Sequence, residues 1–301
     1  MNDRTRGSGA TMHKSDLKSS ETLLSPAKVN LVLRVLGKMP DGYHEIYSVM
    51  QPISLYDEIT IDVRDGEGVR VVSDSPSIPS DSSNLAGRAA IAFLKRIGCK
   101  KAIDISIKKN IPVAAGLGGG SSNAATVLMA LNGLLGTGLG DSALMELARP
   151  LGSDVPFFIL RGAAVATGRG ELLERAAMPN FDYVLINPGF QVSTAWVYGN
   201  LDLTKRSENN RLLNSVEVVA STEGLKQFLI NDLEAVTIRK YPEVLRLKEV
   251  LLDNGAVAAL MSGSGPTVFG VFSDSQRADE ARDILRGKLD KNVRVLRAHG
   301  L

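Results

Sequence analysis

The stretch Pro112, Val113, Ala114, Ala115, Gly116, Leu117, Gly118, Gly119, Gly120, Ser121 and Ser122 (PVAAGLGGGSS) decides how the chain around it folds. Its glycines lack a Cβ, so the backbone can take φ > 0 and a ligand can come close to it. Just before it, residues 102–108 alternate Ile103, Ile105 and Ile107 with polar residues, which predicts a strand with those three side chains buried. Just after it, Ser121 or Ser122 can cap a helix whose Val127, Leu128, Leu131, Leu134 and Leu135 form a broad apolar face before Gly136. Strand, glycine loop and helix in that order gather unpaired N–H groups at the positive end of a helix dipole, an arrangement suited to a phosphate chain. Two other phosphate loops are excluded. No Lys follows the glycines as in GxxxxGK[ST], and the acidic residue a dinucleotide fold carries on its next strand is missing. Binding is therefore expected to run through backbone donors rather than a lysine side chain.

Working outward, residues 27–36 alternate loosely and predict a strand with one face on a core, as do 59–64 and 69–73. Asn84 opens a helical stretch that keeps Leu85, Ala89, Phe93 and Leu94 near one face and stops at Gly98. Downstream, residues 162–167 lead to an acidic turn near Glu171, and 183–186 begin a second block. Residues 200–221 are polar and read as a long connection. From Glu243 the order is helix, strand (AVAAL), Gly/Ser turn, strand (TVFGVF), helix over 276–285 and strand (VRVL). Helices and strands without a regular βαβ rhythm predict an α+β fold of two domains.

Composition narrows the function classes. Lys plus Arg number 35 against 33 Asp plus Glu, and a balance of +2 gives no field of the kind a nucleic-acid surface needs. Cys99 has no partner for an internal disulfide, and three histidines are too few for a zinc cluster, so a reducing cytoplasm is expected. Residues 1–20 mix both charge signs with Ser, Gly and Thr and lack an apolar core, which predicts a flexible tail rather than a secretory signal. Residues 111–140 are free of charge and long enough for a membrane span. Their glycines, with Ser121, Ser122, Asn123 and Asn132, make a poor lipid-facing helix, so no membrane insertion is expected.

Two further segments carry chemical side chains. Lys28 and Asn30 are spaced i, i+2 and project from one face of a strand, where they can hold a hydroxyl or a phosphate; the pair also fits a solvated strand edge. Asp154, in LGSDVPFF, stands where an apolar wall begins, which sharpens a carboxylate's interactions; on position alone it also fits a helix cap.

Together these segments resemble the GHMP kinases. The loop resembles their ATP-phosphate loop, Pro-x-x-x-Gly-Leu-Gly-Ser-Ser, in the triple-glycine form typical of the branch acting on 4-diphosphocytidyl-2-C-methyl-D-erythritol. Pro26, Ala27, Lys28, Val29 and Asn30, and Ser262, Gly263, Ser264, Gly265, Pro266 and Thr267, match two more family blocks in the expected order. The resemblance runs from about residue 24 to the C-terminus. It implies the two-domain α+β GHMP kinase fold, with a ribosomal-protein-like, ATP-binding N-terminal domain (21–178), a ferredoxin-like C-terminal domain (179–301) and the site in the cleft between.

The resemblance also implies roles. Asp154 is the general base and Lys28 lies beside it. Tyr43 stacks on the cytosine and His44 hydrogen-bonds it, both within Asp41, Gly42, Tyr43, His44 and Glu45. Tyr198, where some relatives have Phe, covers the other face of the base. Asn30 and Thr194 hold the polyol and diphosphate, Asn84 and Lys109 lie near the nucleoside of ATP, and Gly263, Ser264 and Gly265 pack beside the site. Mg²⁺ accompanies ATP, with a hydroxyl of Ser121 or Ser122 and the phosphates as most of its shell and no protein metal cluster. The expected partner is this small-molecule substrate, for a monomer or homodimer. Within the superfamily the rival reading is a homoserine or mevalonate kinase, against which the triple glycine, DGYHE and LGSDVPFF argue. A nucleotide-binding module without catalysis would not need both Lys28 and Asp154.

Overall fold

A computed structural model of the chain describes residues 19–203 and 222–301. Most of the connection expected over 200–221, and nearly all of the expected tail, lie outside the described residues. Two very long strands, β1 (Ser20–Lys38) and β2 (His44–Asp65), form an antiparallel hairpin whose register shifts between Pro26 and Ala27, between Asn30 and Val32, and between Val35 and Gly37. Around it lie β3 (Gly68–Ser73), β4 (Lys101–Lys108), β5 (Ala164–Thr167) and β6 (Leu172–Arg175), in the order β3-β4-β2-β1, with β5 pairing with β2 and β6 with β5.

Helices α1 (Leu85–Ile97), α2 (Gly119–Leu134), α3 (Asp141–Ala148) and α4 (Val155–Leu160) cover one face of this sheet. Ile59, Ile61, Ile103, Ile105 and Ile107 pack there against Phe93, Leu128 and Leu131. The isoleucine alternation read from the sequence is thus a buried sheet face. The charge-free run 111–140 has the same explanation: α2 is buried on almost every side, from Ser122 through Leu134.

The second sheet has the order β11-β7-β10-β9, formed by β7 (Asp182–Asn187), β9 (Ala258–Met261), β10 (Val268–Phe272) and β11 (Arg294–His299), all antiparallel. That order is ferredoxin-like. Alternate β7 residues point to opposite faces. Tyr183 and Leu185 join Ala27, Val29 and Leu31 of β1 in a core shared by the two sheets, while Val184 and Ile186 face α7 (Glu234–Lys240), α8 (Glu243–Asp253) and α9 (Ser275–Lys288). The layers run helices, sheet, sheet, helices. The remaining described elements are α5 (Thr194–Gly199), α6 (Thr222–Phe228) and β8 (Ile230–Asn231).

Two expectations are corrected here. Lys28 and Asn30 do not sit on a solvated strand edge: residues 27–33 are all buried, because the second sheet covers one side of β1 and the other side looks into the site. Neither Ser121 nor Ser122 caps α2. The helix begins at Gly119 with Gly118 as its N-cap at φ 70°, so both serines fall inside the first turns. The chain beyond 179 also reaches back across the expected domain boundary, since β8 pairs in parallel with Val32 and Leu33 of β1.

Candidate active site

A cleft of about 970 Å³ lies where the two halves meet, lined by the glycine loop, the β1 and β2 segments and α5. Its floor is the polar face of β1. Lys28 and Asn30 alternate with the buried Ala27, Val29 and Leu31, so anchoring those three in the inter-sheet core aims Lys28 and Asn30 at the cleft. Lys28 Nζ donates to Asn30 Oδ1 at 2.5 Å and stands 3.6 Å from Asp154 Oδ2. The ammonium is almost wholly buried, its side chain 5 % exposed, while the carboxylate keeps access to the cleft at 36 %.

Asp154 occupies the position before α4 and makes no capping hydrogen bond, so its carboxylate is not engaged by the helix. Asn30 is held from both ends: its Oδ1 accepts from Lys28, and its Nδ2 donates to Ser48 Oγ at 2.9 Å, which passes its own proton to the Val32 carbonyl at 2.7 Å. The chain Ser48–Asn30–Lys28–Asp154 therefore runs from the sheet interior to the cleft.

The glycine loop folds over this floor. Leu117 O accepts from Lys28 N at 3.0 Å, and Ser262 Oγ donates to Gly116 O at 2.9 Å, which ties the loop to β1 and to the block after β9. At Gly118 the left-handed φ favours glycine, and a Cβ there would meet Lys28 Cγ and Phe158 Cζ, each at 3.0 Å. Gly119 has no positive φ. Its requirement is space, because a Cβ would lie 3.0 Å from Ile111 Cγ2 and 3.2 Å from Lys109 Nζ. Pro112, Val113, Ala114, Ala115, Gly116, Leu117, Gly118, Gly119, Gly120 and Ser121 all line the cleft. Ser122 does not: it is fully buried and shares a 2.7 Å hydrogen bond with Ser25 Oγ.

Of the two residues expected near the nucleoside, Lys109 lines the cleft and Asn84 does not. Asn84 is the N-cap of α1, accepting from Ala86 N at 2.9 Å and donating to Pro79 O at 2.8 Å. Lys109 is far from a surface lysine. Its ammonium is ion-paired to the fully buried carboxylate of Asp57. Asp57 was not read from the sequence, where a strand Asp beside Glu58 looks like a solvated edge.

The opposite wall carries the aromatic residues. The His44 and Tyr198 rings lie 5.0 Å apart, tilted by 35°. Burial first, and the nearby Asp154 charge second, push the Tyr198 phenol up to about 12, so it stays a hydrogen-bond donor. Burial, then the charge of Lys38, lowers His44 below its ordinary range and keeps the imidazole neutral at pH 7. Tyr43 is 57 % exposed at the cleft rim, with the Arg169 guanidinium 4.4 Å from its ring centre and Arg169 in turn ion-paired to Asp41. Arg169, also unread in the sequence, comes from the turn between β5 and β6. Thr194, at the start of α5, shares a 2.8 Å hydroxyl contact with Ser264, joining α5 to the block after β9. Two hydroxyls joined this way keep one donor proton and free lone pairs for a ligand. Among the described residues no cluster of three His, Cys, Asp or Glu could hold a metal, and no helix is long and apolar enough to cross a membrane.

This geometry coincides with matches to known proteins. Residues 84–162 match the GHMP kinases N terminal domain and residues 219–291 the GHMP kinases C terminal domain. The chain is 49% identical over 269 residues to the 4-diphosphocytidyl-2-C-methyl-D-erythritol kinase of Syntrophotalea carbinolica, covering 89% of this chain and 95% of that one. It is 48% identical over 280 residues to the enzyme of that name from Geobacter metallireducens, covering 93% and 99%. The chain belongs to the 4-diphosphocytidyl-2-C-methyl-D-erythritol kinases. A crystal structure of a 4-(cytidine 5'-diphospho)-2C-methyl-D-erythritol kinase superposes with a TM-score of 0.80 at 34% identity, covering 93% of this chain and all of that one. A homoserine kinase from Cytophaga hutchinsonii, at 19% identity and TM-score 0.75 over 97% of each chain, shares the GHMP fold. In this chain the glycine loop and the Lys28–Asp154 pair occupy one cleft, and the His44–Tyr198 wall closes it.

Proposed function

We propose that the chain transfers the γ-phosphoryl group of ATP to the 2-hydroxyl of 4-diphosphocytidyl-2-C-methyl-D-erythritol, a step toward isoprenoid precursors. The observation that carries this reading is one cleft with a glycine loop at a helix start, an aromatic wall opposite, and a lysine–carboxylate pair between them. Asp154 is the base: it accepts the hydroxyl proton as that oxygen attacks the γ-phosphorus. Lys28, 3.6 Å from that carboxylate, orients it and stabilises charge building on the transferring group. Asn30 fixes Lys28, and the Thr194–Ser264 hydroxyls supply contacts for the polyol and diphosphate. Tyr43 and Tyr198 hold the cytosine and neutral His44 reads its edge.

Mg²⁺ fits the donors present in a limited way. The Ser121 hydroxyl comes from a residue that lines the cleft and is a hard oxygen ligand, and Mg²⁺ commonly takes few protein oxygens, with phosphate and water for the rest. When bound, it neutralises charge on the β and γ oxygens of ATP. A single reducing-compartment cysteine and the small-molecule substrate suit a cytoplasmic enzyme. The test is purified protein with ATP, Mg²⁺ and the diphosphocytidyl substrate, with homoserine and mevalonate as controls. Phosphate is expected on the first alone, and its appearance on a control instead would overturn the assignment.

A further inference from the structure

Asp57 is the most deeply buried charged residue near the cleft, at 0 % exposure, and the chemistry proposed above does not use it. Every lone-pair direction of its carboxylate is engaged. Oδ1 accepts from Asn110 N and Ile111 N, each at 2.9 Å, and Oδ2 accepts from Asn123 Nδ2 at 2.9 Å and from the Lys109 ammonium. These partners come from the two segments flanking the glycine loop: residues 109–111 lead into it and Asn123 sits in the helix that leaves it. Asn123 is tied further to Ser25 Oγ at 3.0 Å, and Ser25 to Ser122. One carboxylate thus clamps both ends of the loop to β2 and β1.

The clamp also determines where a positive charge goes. Lys109 Nζ lies 3.2 Å from where a Cβ of Gly119 would be, directly against the first residue of α2, and its side chain is only 5 % exposed. The loop has no lysine of its own, yet a lysine from the preceding strand end reaches the spot where unpaired amides converge. An ammonium so deeply buried loses its hydration, and an opposite charge in hydrogen-bonding contact offsets that loss. We propose that Asp57 is a positioning residue for nucleotide binding: it fixes Lys109 beneath Gly119, so that the glycine loop offers a triphosphate a side-chain cation as well as backbone donors.

This inference rests on the reading of the loop as the ATP site, and its test separates the two. MgATP binding is measured by calorimetry, and thermal unfolding is followed in parallel, for wild type, Asp57→Asn, Lys109→Met and the double variant. Losing a fixed, charge-assisted contact should weaken MgATP binding roughly ten- to a hundredfold in each single variant. The double variant should be no weaker than the weaker single one, because both changes remove the same contact. CDP binding should stay within about twofold of wild type in all three, as expected for sites with no shared partners. A residue that served only the fold would lower the unfolding temperature and leave MgATP affinity of the folded fraction intact. If Asp57→Asn does not fold, Asp57→Glu keeps the charge but moves it by one methylene, and should still weaken MgATP binding several-fold. Wild-type MgATP affinity in either Asp57 variant, or losses that multiply in the double variant, would overturn the role of Asp57. Absence of MgATP binding by the wild-type protein would instead overturn the reading of the loop.

Discussion

Two ion pairs flank the cleft, and they differ in almost every physical respect. On the glycine-loop side, Lys109 and Asp57 have side chains 5% and 0% exposed, and the carboxylate has three more donors. On the opposite rim, Arg169 and Asp41 are 40% and 38% exposed, and Arg169 also covers Tyr43. A buried, fully bonded pair is rigid because any displacement strands a charge without solvent. An exposed pair contributes about 0–1 kcal/mol and shares its partners with water and salt. One side of the cleft is built in advance, whereas the other can adjust to a ligand.

The largest test probes the ground between them. Asp154→Asn keeps the shape and removes the proton acceptor, so turnover should fall by roughly 10² to 10⁴ while affinities on both sides of the cleft change little. Turnover within a few-fold of wild type would show that the base lies elsewhere.

Next in size is the rigid side. Gly119→Val puts a branched side chain against Ile111 and Lys109, and overpacking combined with a displaced cation should weaken ATP roughly a hundredfold. CDP binding in the same protein is the internal control. Equal ATP affinity in the folded variant would remove the phosphates from this loop.

The adaptable side should respond less, and by chemistry. Tyr43→Ala and Tyr198→Ala should each weaken CDP and UDP alike, by about 1–3 kcal/mol, because stacking tolerates any base. His44→Ala should instead narrow the preference for CDP over UDP, since the hydrogen-bonded edge does the discriminating. Competition assays separate the two patterns, and equal inhibition of the wild type by CDP and UDP would sink the cytosine assignment.

A pH series sharpens the same point. His44 is held below its ordinary range, so as pH falls through about 6.5 the unfolded chain binds a proton at this residue before the folded chain does, and stability should decline. The CDP preference should persist until pH passes the lowered value, and a preference lost already at pH 7 would contradict a neutral imidazole.

The smallest effect belongs to Arg169→Ala, which should raise the KM for the diphosphocytidyl substrate by roughly two- to fivefold with kcat and the KM for ATP unchanged. Added salt should reproduce part of that rise in the wild type, because exposed pairs are screened. A matching change in ATP affinity would mean that the two sides are not independent.

How far a residue's partners lie along the chain explains what could be read early. The strand before the glycine loop, the helix after it and the cap at Asn84 were legible because each depends on neighbours within a turn or a pleat. The cap of α2 lies three or four residues before the expected Ser121 or Ser122: a paired serine is a common cap, but Gly118 could take the left-handed conformation that begins the helix earlier. Asn30 was legible as a cleft residue beside Lys28 on the same strand face, yet its hydrogen bond to Ser48 appears only once β1 lies on β2.

The alternating strands, the glycine loop, the lone Asp154 ahead of an apolar wall and the family blocks are legible along the chain, because all of these are local patterns of side-chain type. Tertiary structure alone decided the partners of Asp57 and Arg169. Asp57 meets Lys109 because the antiparallel register of β2 and β4 sets Glu58 opposite Lys108, which brings the next residues of each strand together at the sheet's end. Arg169 meets Tyr43 because the β5–β6 turn is bonded to β2 through Gly168 O and Ile46 N at 2.7 Å. A carboxylate in a strand looks the same in sequence whether water or a lysine faces it, and only the register of distant strands determines which.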